Sequence, residues 1–105
     1  MDLRFGDYRL KRQERLVLGP GGSVDLSARA FDILHYLLGH HGEVVAKIAL
    51  LDAVWPGVVV EDNTLQVHMS ALRKALGPEM IATVHGRGYK YVGPPPDTDT
   101  ATTSV

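Results

Sequence analysis

Residues 61–77 read EDNTLQVHMSALRKALG, and this stretch decides the fold. At 100° per residue its main apolar side chains share one narrow stripe with the spacing i, i+4, i+7 and i+11. They are Leu65, Met69, Leu72 and Leu76. Asp62 is suited to cap the start, and Gly77 followed by Pro78 is a stop signal. The pattern predicts an amphipathic helix of about four turns over residues 62–76.

The opposite face of this helix, which we call its front, is polar and cationic. It carries Asn63, Gln66, Val67, Ser70 and Lys74, with Arg73 at its edge. A helix face that is merely solvated usually mixes Glu with Lys, whereas no acid occurs between Asn63 and Leu76. The front is therefore expected to face an anion.

The charge of the chain is distributed unevenly. The formal net charge is −1, which alone argues mildly against a nucleic-acid partner. Residues 1–62 hold seven Lys/Arg and nine Asp/Glu, whereas residues 63–92 hold four Lys/Arg and one Glu. The remaining acids, Asp97 and Asp99, lie near the C-terminus. Excess positive charge is thus confined to the helix and the segment after it, as an electrostatic footprint for an anionic partner requires.

The length and composition indicate a single domain. A chain of 105 residues can bury about 60–65% of its unfolded surface without covalent staples. It contains no cysteine, which excludes disulfides and thiolate metal sites. No signal peptide opens the chain, and no apolar run approaches the ~20 residues that span a bilayer. We therefore expect a soluble segment without membrane contact.

The residues before this helix predict strands and then two further helices. Residues 3–26 alternate in polarity between turns, as in a meander of three or four antiparallel strands. Ser27 is suited to cap a helix whose apolar stripe includes Phe31, and Val44-Val45 reads as a brief extended link. A second short helix is expected from about Lys47 to Trp55. Three helices with short connections are typical of helix-turn-helix proteins.

After Gly77 the sequence predicts a β-hairpin. Two β-rich runs flank the turn His85-Gly86-Arg87-Gly88, which puts Arg87 at the tip. The Gly-x-Gly of this turn precedes a strand and not a helix, so its context excludes a dinucleotide-binding motif. Residues 93–105 are rich in Pro and Thr and read as a disordered tail or a linker.

Helices followed by a hairpin with a basic tip form the winged-helix plan. From about Leu3 to Val92 the sequence resembles the C-terminal effector domain of OmpR/PhoB-type response regulators. Its position ahead of a linker-like stretch also resembles that in CadC-like regulators. The motifs that carry the resemblance are Val24-Asp25-Leu26-Ser27, Gly42-Glu43-Val44-Val45, Leu50 through Trp55-Pro56, TLQVHMSALRKAL (64–76), and Ile81-Ala82-Thr83-Val84-His85-Gly86-Arg87-Gly88-Tyr89-Lys90-Tyr91.

The resemblance implies an α+β fold and a DNA-binding function. The expected architecture is a winged helix-turn-helix domain over residues 1–92, with an N-terminal four-stranded antiparallel sheet, three helices and a C-terminal β-hairpin wing. It implies sequence-specific binding of double-stranded promoter DNA by a bacterial transcriptional regulator. The third helix (about 62–76) would enter the major groove, and the wing (about 80–92) would lie at the minor groove.

The resemblance also implies the surroundings in which the domain works. The expected location is cytoplasmic, on the nucleoid, in a full-length protein that could be membrane-tethered. A second copy on tandem half-sites and RNA polymerase are the further partners that it suggests, and no cofactor is implied.

Site residues follow position by position from the resemblance. Those expected at base edges are Gln66, Val67, Ser70 and Ala71, and those near phosphates are Asn63, Thr64, Arg73 and Lys74. The wing positions that would meet the backbone and the minor groove are Thr83, His85 and Arg87. Family members often carry Arg at Asn63, Ser70, Ala71 and His85, all neutral here at pH 7. With about four to six phosphate contacts, we expect a shallow salt slope of about −4 to −5.

Two other functions compete with DNA binding at this point. An enzyme would need a nucleophile with a base, paired carboxylates or spaced metal ligands, and the sequence offers none. His68 is expected to be a packed structural histidine, and Trp55 a core residue. The modest charge leaves open a winged helix that binds a protein such as RNA polymerase, with weak or no DNA binding.

Overall fold

The computed structural model describes residues 2–98, in which three helices and two antiparallel sheets form. In chain order the elements are β1 (Asp2–Phe5), β2 (Tyr8–Lys11), β3 (Leu16–Gly19), β4 (Gly22–Val24), α1 (Ala28–Gly39), β5 (Val44–Ala46), α2 (Lys47–Val54), α3 (Asp62–Leu76), β6 (Ile81–Val84), β7 (Gly88–Tyr91) and β8 (Asp97–Thr98). The predicted winged-helix architecture is confirmed. None of the three helices within residues 2–98 combines the length and the apolar composition that crossing a bilayer requires.

The helix α3 has the predicted bounds, but its predicted N-cap is wrong. Asp62 is already the first helical residue, and the N-cap is Glu61, which makes no side-chain capping hydrogen bond. The stop is as predicted. Gly77 adopts φ +115°, where residues with a Cβ are strained, and its N–H donates to the carbonyl of Arg73 at 2.8 Å. Glycine thus lets the chain leave the helix toward the hairpin.

The apolar stripe of α3 belongs to one continuous core. Its four side chains are at most 5% exposed. The same core contains apolar residues of α1, of the N-terminal strands and of the C-terminal hairpin, among them Phe31, Phe5, Leu10, Ile81 and Tyr89. Burying one such side chain stabilises the fold by about 1.5–3 kcal/mol. Because the core takes the rear of α3, its front must face outward.

The first two helices are joined at their ends by one arginine. The Oγ of Ser27 accepts the N–H of Ala30 at 3.2 Å, so the predicted cap of α1 is confirmed. The helix α2 is one residue shorter than predicted, since Trp55 is its C-cap, and Trp55 is half-buried. Arg29 donates to the carbonyl of Val54 at 2.7 Å and lies 5.7 Å over the Trp55 ring. This arginine closes the end of α2 onto α1.

The C-terminal sheet has one strand more than the predicted hairpin, in the order β5-β7-β6. The segment interpreted as a link is the strand β5, in which Val45 pairs with Tyr89 and Ala46 with Gly88. A Cβ at Gly88 would overlap the carbonyl of Val45, so only glycine fits there. We call β6, β7 and the turn 85–87 the wing. At Gly88, the first residue of β7, the wing therefore packs directly against β5, the strand that precedes α2.

The N-terminal sheet contains the four predicted strands and a fifth, in the order β4-β3-β2-β1-β8. The extra strand comes from the segment interpreted as a disordered tail or linker, in which Asp97 pairs with Arg4 and Thr98 with Leu3. The hydroxyl of Tyr91 donates to the carbonyl of Pro94 at 2.6 Å and directs the chain toward β1. The prediction of disorder therefore fails for residues 97–98, and residues 99–105 lie outside the described part.

Candidate nucleic-acid interface

The front of α3 is an open polar surface. The predicted contact residues exposed on it are Asn63, Gln66, Val67, Ser70, Ala71 and Lys74. Val67 is 57% exposed, so this apolar side chain lies among hydrogen-bonding groups and is not packed into the core. Thr64 differs from these residues, because it is half-buried and its N–H donates to the carbonyl of Glu61 at 3.0 Å. Thr64 thus belongs to the first turn, at the margin of the front.

The wing carries the second group of predicted residues. Thr83, His85 and Arg87 are all exposed. The N–H of Arg87 donates to the carbonyl of Val84 at 2.9 Å, and Gly86 adopts φ +75°, which closes the turn tightly. The imidazole of His85 and the guanidinium of Arg87 therefore lie exposed at the tip of a short hairpin.

Arg73 lies between these two groups and is engaged by the wing. Its Nε donates to the carbonyl of Ile81 at 3.2 Å, and its Nη2 donates to Oγ1 of Thr83 at 2.5 Å. Its guanidinium also lies 5.9 Å from the centre of the Tyr89 ring. Lys74 has no ion pair or hydrogen bond with the side chains described within residues 2–98. Two adjacent cations, both expected at phosphates, thus have different surroundings.

One cation beside the wing tip was absent from the sequence prediction. Lys47, the first residue of α2, lines a cavity of about 330 Å³ together with Ile48, Gly86 and Arg87. No side chain caps the N-terminus of α2, whose unpaired N–H groups favour an anion nearby. The sequence could have indicated Lys47 only as a cation at the start of a predicted helix. Its position close to Arg87 depends on the pairing of β5 with β7.

His68, expected to be a packed histidine, and Trp55, expected to be a core residue, contact each other beside α3, and both are half-buried. His68 is half-buried, its Nδ1 lies 3.4 Å from Oγ of Ser27, and its ring centre lies 5.6 Å from that of Trp55. These contacts join the start of α1, the end of α2 and one flank of α3. His68 and Trp55 therefore hold the helices together on the side of α3 that is remote from Arg73.

Two residues of the scaffold, Tyr91 and His35, have shifted pKa values. Burial raises the pKa of Tyr91 to about 12. Burial and the positive charge of Arg12 lower the pKa of His35, which lies on α1. Within residues 2–98 no group of three or more His, Cys, Asp or Glu side chains is arranged to hold a metal ion. What the front and the wing offer is a hydrogen-bonding and cationic surface.

Comparisons with known proteins agree with this geometry. Residues 21–91 match the family described as "Transcriptional regulatory protein, C terminal". The chain is 38% identical over 92 residues to the phosphate regulon transcriptional regulatory protein PhoB of Rhizobium meliloti (strain 1021), covering 83% of this chain and 40% of that protein. The chain therefore spans less than half the length of this relative.

Two solved structures share the fold along most of their length. The Klebsiella pneumoniae RstA DNA-binding domain in complex with the RstA box has a TM-score of 0.75 and 33% identity, covering 87% of this chain and 96% of that chain. The DNA-binding domain of Escherichia coli CadC has a TM-score of 0.80 and 30% identity, covering 89% and 92%. Because the family match takes in more than half of the residues, this chain belongs to the OmpR/PhoB-type family of transcriptional regulatory domains.

Proposed function

We propose that this domain binds double-stranded DNA in a sequence-specific manner, with the front of α3 in the major groove and the wing tip at the minor groove. The observation that carries the proposal is the exposed front of α3, free of acids from Asn63 to Leu76 and flanked by the cationic tip of the wing. A helix of this diameter fits the major groove of B-form DNA. The DNA-bound RstA domain, which shares the fold, lends further support.

Base recognition falls to the middle of the front. The amide of Gln66 can pair with adenine through two hydrogen bonds, and the hydroxyl of Ser70 can donate or accept at either base edge. The methyl groups of Val67 suit the 5-methyl group of thymine. Ala71, which has the shortest side chain of this group, leaves room for the bases to approach the helix.

Phosphate contacts surround this centre. On α3 they are assigned to Asn63, Thr64 and Lys74, and Lys47 adds a contact at the start of α2. On the wing, Thr83 and His85 meet the backbone, while Arg87 suits the electronegative minor groove. The cations of this set are Lys74, Lys47 and Arg87, so the salt slope is expected to be about −3, shallower than the −4 to −5 expected from the sequence.

The whole protein is proposed to be a bacterial transcriptional regulator that acts on promoter DNA in the cytoplasm. Two copies on tandem half-sites about one helical turn apart would follow from the family's mode of binding. The proposal assigns the domain no enzymatic activity and no cofactor.

A titration at two salt concentrations tests the proposal. The domain is mixed with random duplex DNA at low and moderate salt, and a duplex enriched from a random pool is then measured at moderate salt. We expect salt-dependent binding and one enriched sequence family. Negligible binding of random duplex at both salt concentrations would exclude DNA binding.

A charge reversal tests the role of Lys74. Lys74→Glu should weaken DNA binding well beyond twofold, because it places a carboxylate against the phosphates. Arg12→Glu makes the same change of charge at an exposed residue directly after β2, in the other sheet's part of the domain, and serves as the matched control. An affinity of Lys74→Glu within about twofold of wild type would exclude a phosphate contact by Lys74.

A protein partner is a second candidate, favoured by the connection between α2 and α3. Val58 is 60% exposed and Val59 is fully exposed there. Exposed neighbouring valines suit a protein surface more than a phosphate. RNA polymerase is the partner that we propose for this connection, and it can bind there in addition to DNA at the front of α3.

A further inference from the structure

One side chain of α3 makes several contacts with the wing, in addition to the apolar core that the two elements share. Within residues 2–98, the hydrogen bonds that connect α3 to a wing strand both come from Arg73, one to Ile81 and one to Thr83. The Tyr89 ring, which is buried, faces the same guanidinium from β7. Arg73 thus contacts both strands of the wing from the last turn of the helix.

The chemistry of guanidinium suits this position. It is planar and permanently charged, and it donates in fixed directions, so two bonds to β6 and one neighbouring ring restrict how the wing can lie against α3. A lysine ammonium carries the same charge but cannot donate in this fork or stack its plane on a ring. Fixed geometry, in addition to charge, is what Arg73 supplies.

A phosphate contact places different demands on the same residue. Of the five N–H donors of a guanidinium, Arg73 directs one on Nε and one on Nη2 at β6, so part of its hydrogen-bonding capacity is already used within the domain. Arg73 is also half-buried, in contrast to the exposed Lys74 beside it. The contacts therefore favour a task inside the domain.

We propose that Arg73 is a positioning residue that sets the angle between the wing and α3, so that Arg87 and the front of α3 reach the same duplex together. This inference rests on the proposed DNA binding. In it, Arg73 acts through Arg87 and the wing, while Lys74 contacts phosphate directly.

An experiment on the DNA-free protein tests whether Arg73 holds the wing against α3. Amide hydrogen exchange is measured for β6 and β7 in Arg73→Lys, with Lys74→Met as the matched control. We expect exchange in the wing to accelerate about tenfold in Arg73→Lys and to stay at the wild-type rate in Lys74→Met. Arg73→Lys keeps the charge and a long stem, so it tests geometry alone. Wild-type exchange in Arg73→Lys would overturn the proposal.

A double-mutant cycle tests the consequence for DNA. Arg73→Met should lower affinity for the enriched duplex about tenfold in the wild-type background, but within about twofold when Arg87→Ala has already removed the wing contact. Lys74→Met should have equal effects in both backgrounds. Additive losses for Arg73→Met and Arg87→Ala would overturn the proposal. If wild-type protein binds no duplex, the proposed function fails, while the exchange experiment still decides the role of Arg73.

Discussion

The last turn of α3 is held on two sides by two sheets that make different kinds of contact. On one side, the hydroxyl of Tyr8, in β2, donates to the carbonyl of Leu76 at 3.3 Å. On the other side, the guanidinium of Arg73 donates two hydrogen bonds to β6 of the wing. The first contact joins the helix to a sheet without predicted DNA contacts, and the second joins two elements that both carry them.

The two contacts are expected to affect different properties. The contact with the N-terminal sheet affects the free energy of unfolding, and the contact with the wing affects the orientation of the wing relative to α3. The N-terminal sheet contributes fully buried side chains such as Phe5, Leu10 and Val17, so its main effect is on the free energy of unfolding. The wing contributes buried residues too, but its tip is exposed and its orientation depends on Arg73. Changes on the sheet side should therefore alter stability more than DNA affinity, and changes on the wing side should do the opposite.

The largest expected effect is on the free energy of unfolding. It comes from a substitution in the apolar core against which both sheets and α3 pack. Leu72, on the rear of α3, is fully buried, and Leu72→Ala should lower the free energy of unfolding by about 2–5 kcal/mol. Urea denaturation measures the loss. Ser70→Ala, on the exposed front of the same helix, should remain within about 0.5 kcal/mol of wild type. A loss below about 1 kcal/mol for Leu72→Ala would contradict the packing of α3 on the core.

The next effect concerns the residue that connects the two sheets. Tyr91, in β7, packs edge-on against Phe5 of β1, and burial raises its pKa from 10.0 to about 12. The folded state therefore holds this proton more tightly than the unfolded state. The stability is complete below pH 10 and is lost as the pH rises through about 12, at no more than about 1.4 kcal/mol per pH unit.

Tyr91→Phe tests this dependence. The variant should lose less stability than wild type between pH 10 and 12, as measured by urea denaturation at a series of pH values. Parallel curves for the two proteins would show that Tyr91 does not cause the alkaline loss.

The smallest effect isolates the contact on the sheet side. Tyr8→Phe removes one neutral hydrogen bond and keeps the ring that stacks on Phe5, so it should cost about 0.5–1.5 kcal/mol of stability. Its DNA affinity should equal that of wild type, in contrast to Arg73→Met. A tenfold loss of DNA affinity in Tyr8→Phe would remove the distinction between the two sides.

The sequence predicted the elements whose signal lies within a few residues. The bounds of α3 follow from the period of its apolar stripe and from Gly77, and the Ser27 cap follows from a hydroxyl placed three residues before an N–H. The cap at Asp62 was wrong by one position, because helix ends are set by backbone angles that several polar residues permit.

The features that the sequence left out depend on residues that are distant along the chain. The strand β5 exists through pairing with β7, and β8 through pairing with β1, so neither short segment signals a strand alone. Lys47 meets the wing tip only after that pairing. Arg73 and Lys74 look alike in sequence, and only the position of β6 distinguishes them. The predicted contacts on the front of α3 stay predictions until DNA binding is measured.

The strand β8 also has a consequence for how the chain could be connected. Because β8 runs antiparallel to β1 and pairs Thr98 with Leu3, residues 3 and 98 lie side by side at one edge of the sheet. A short turn could join them and make a closed hairpin from the two ends of the described chain. New ends could then be opened in the exposed loop between β3 and β4. Such a circular permutant would present α3 and the wing on the same scaffold, with its termini moved to the opposite edge of that sheet.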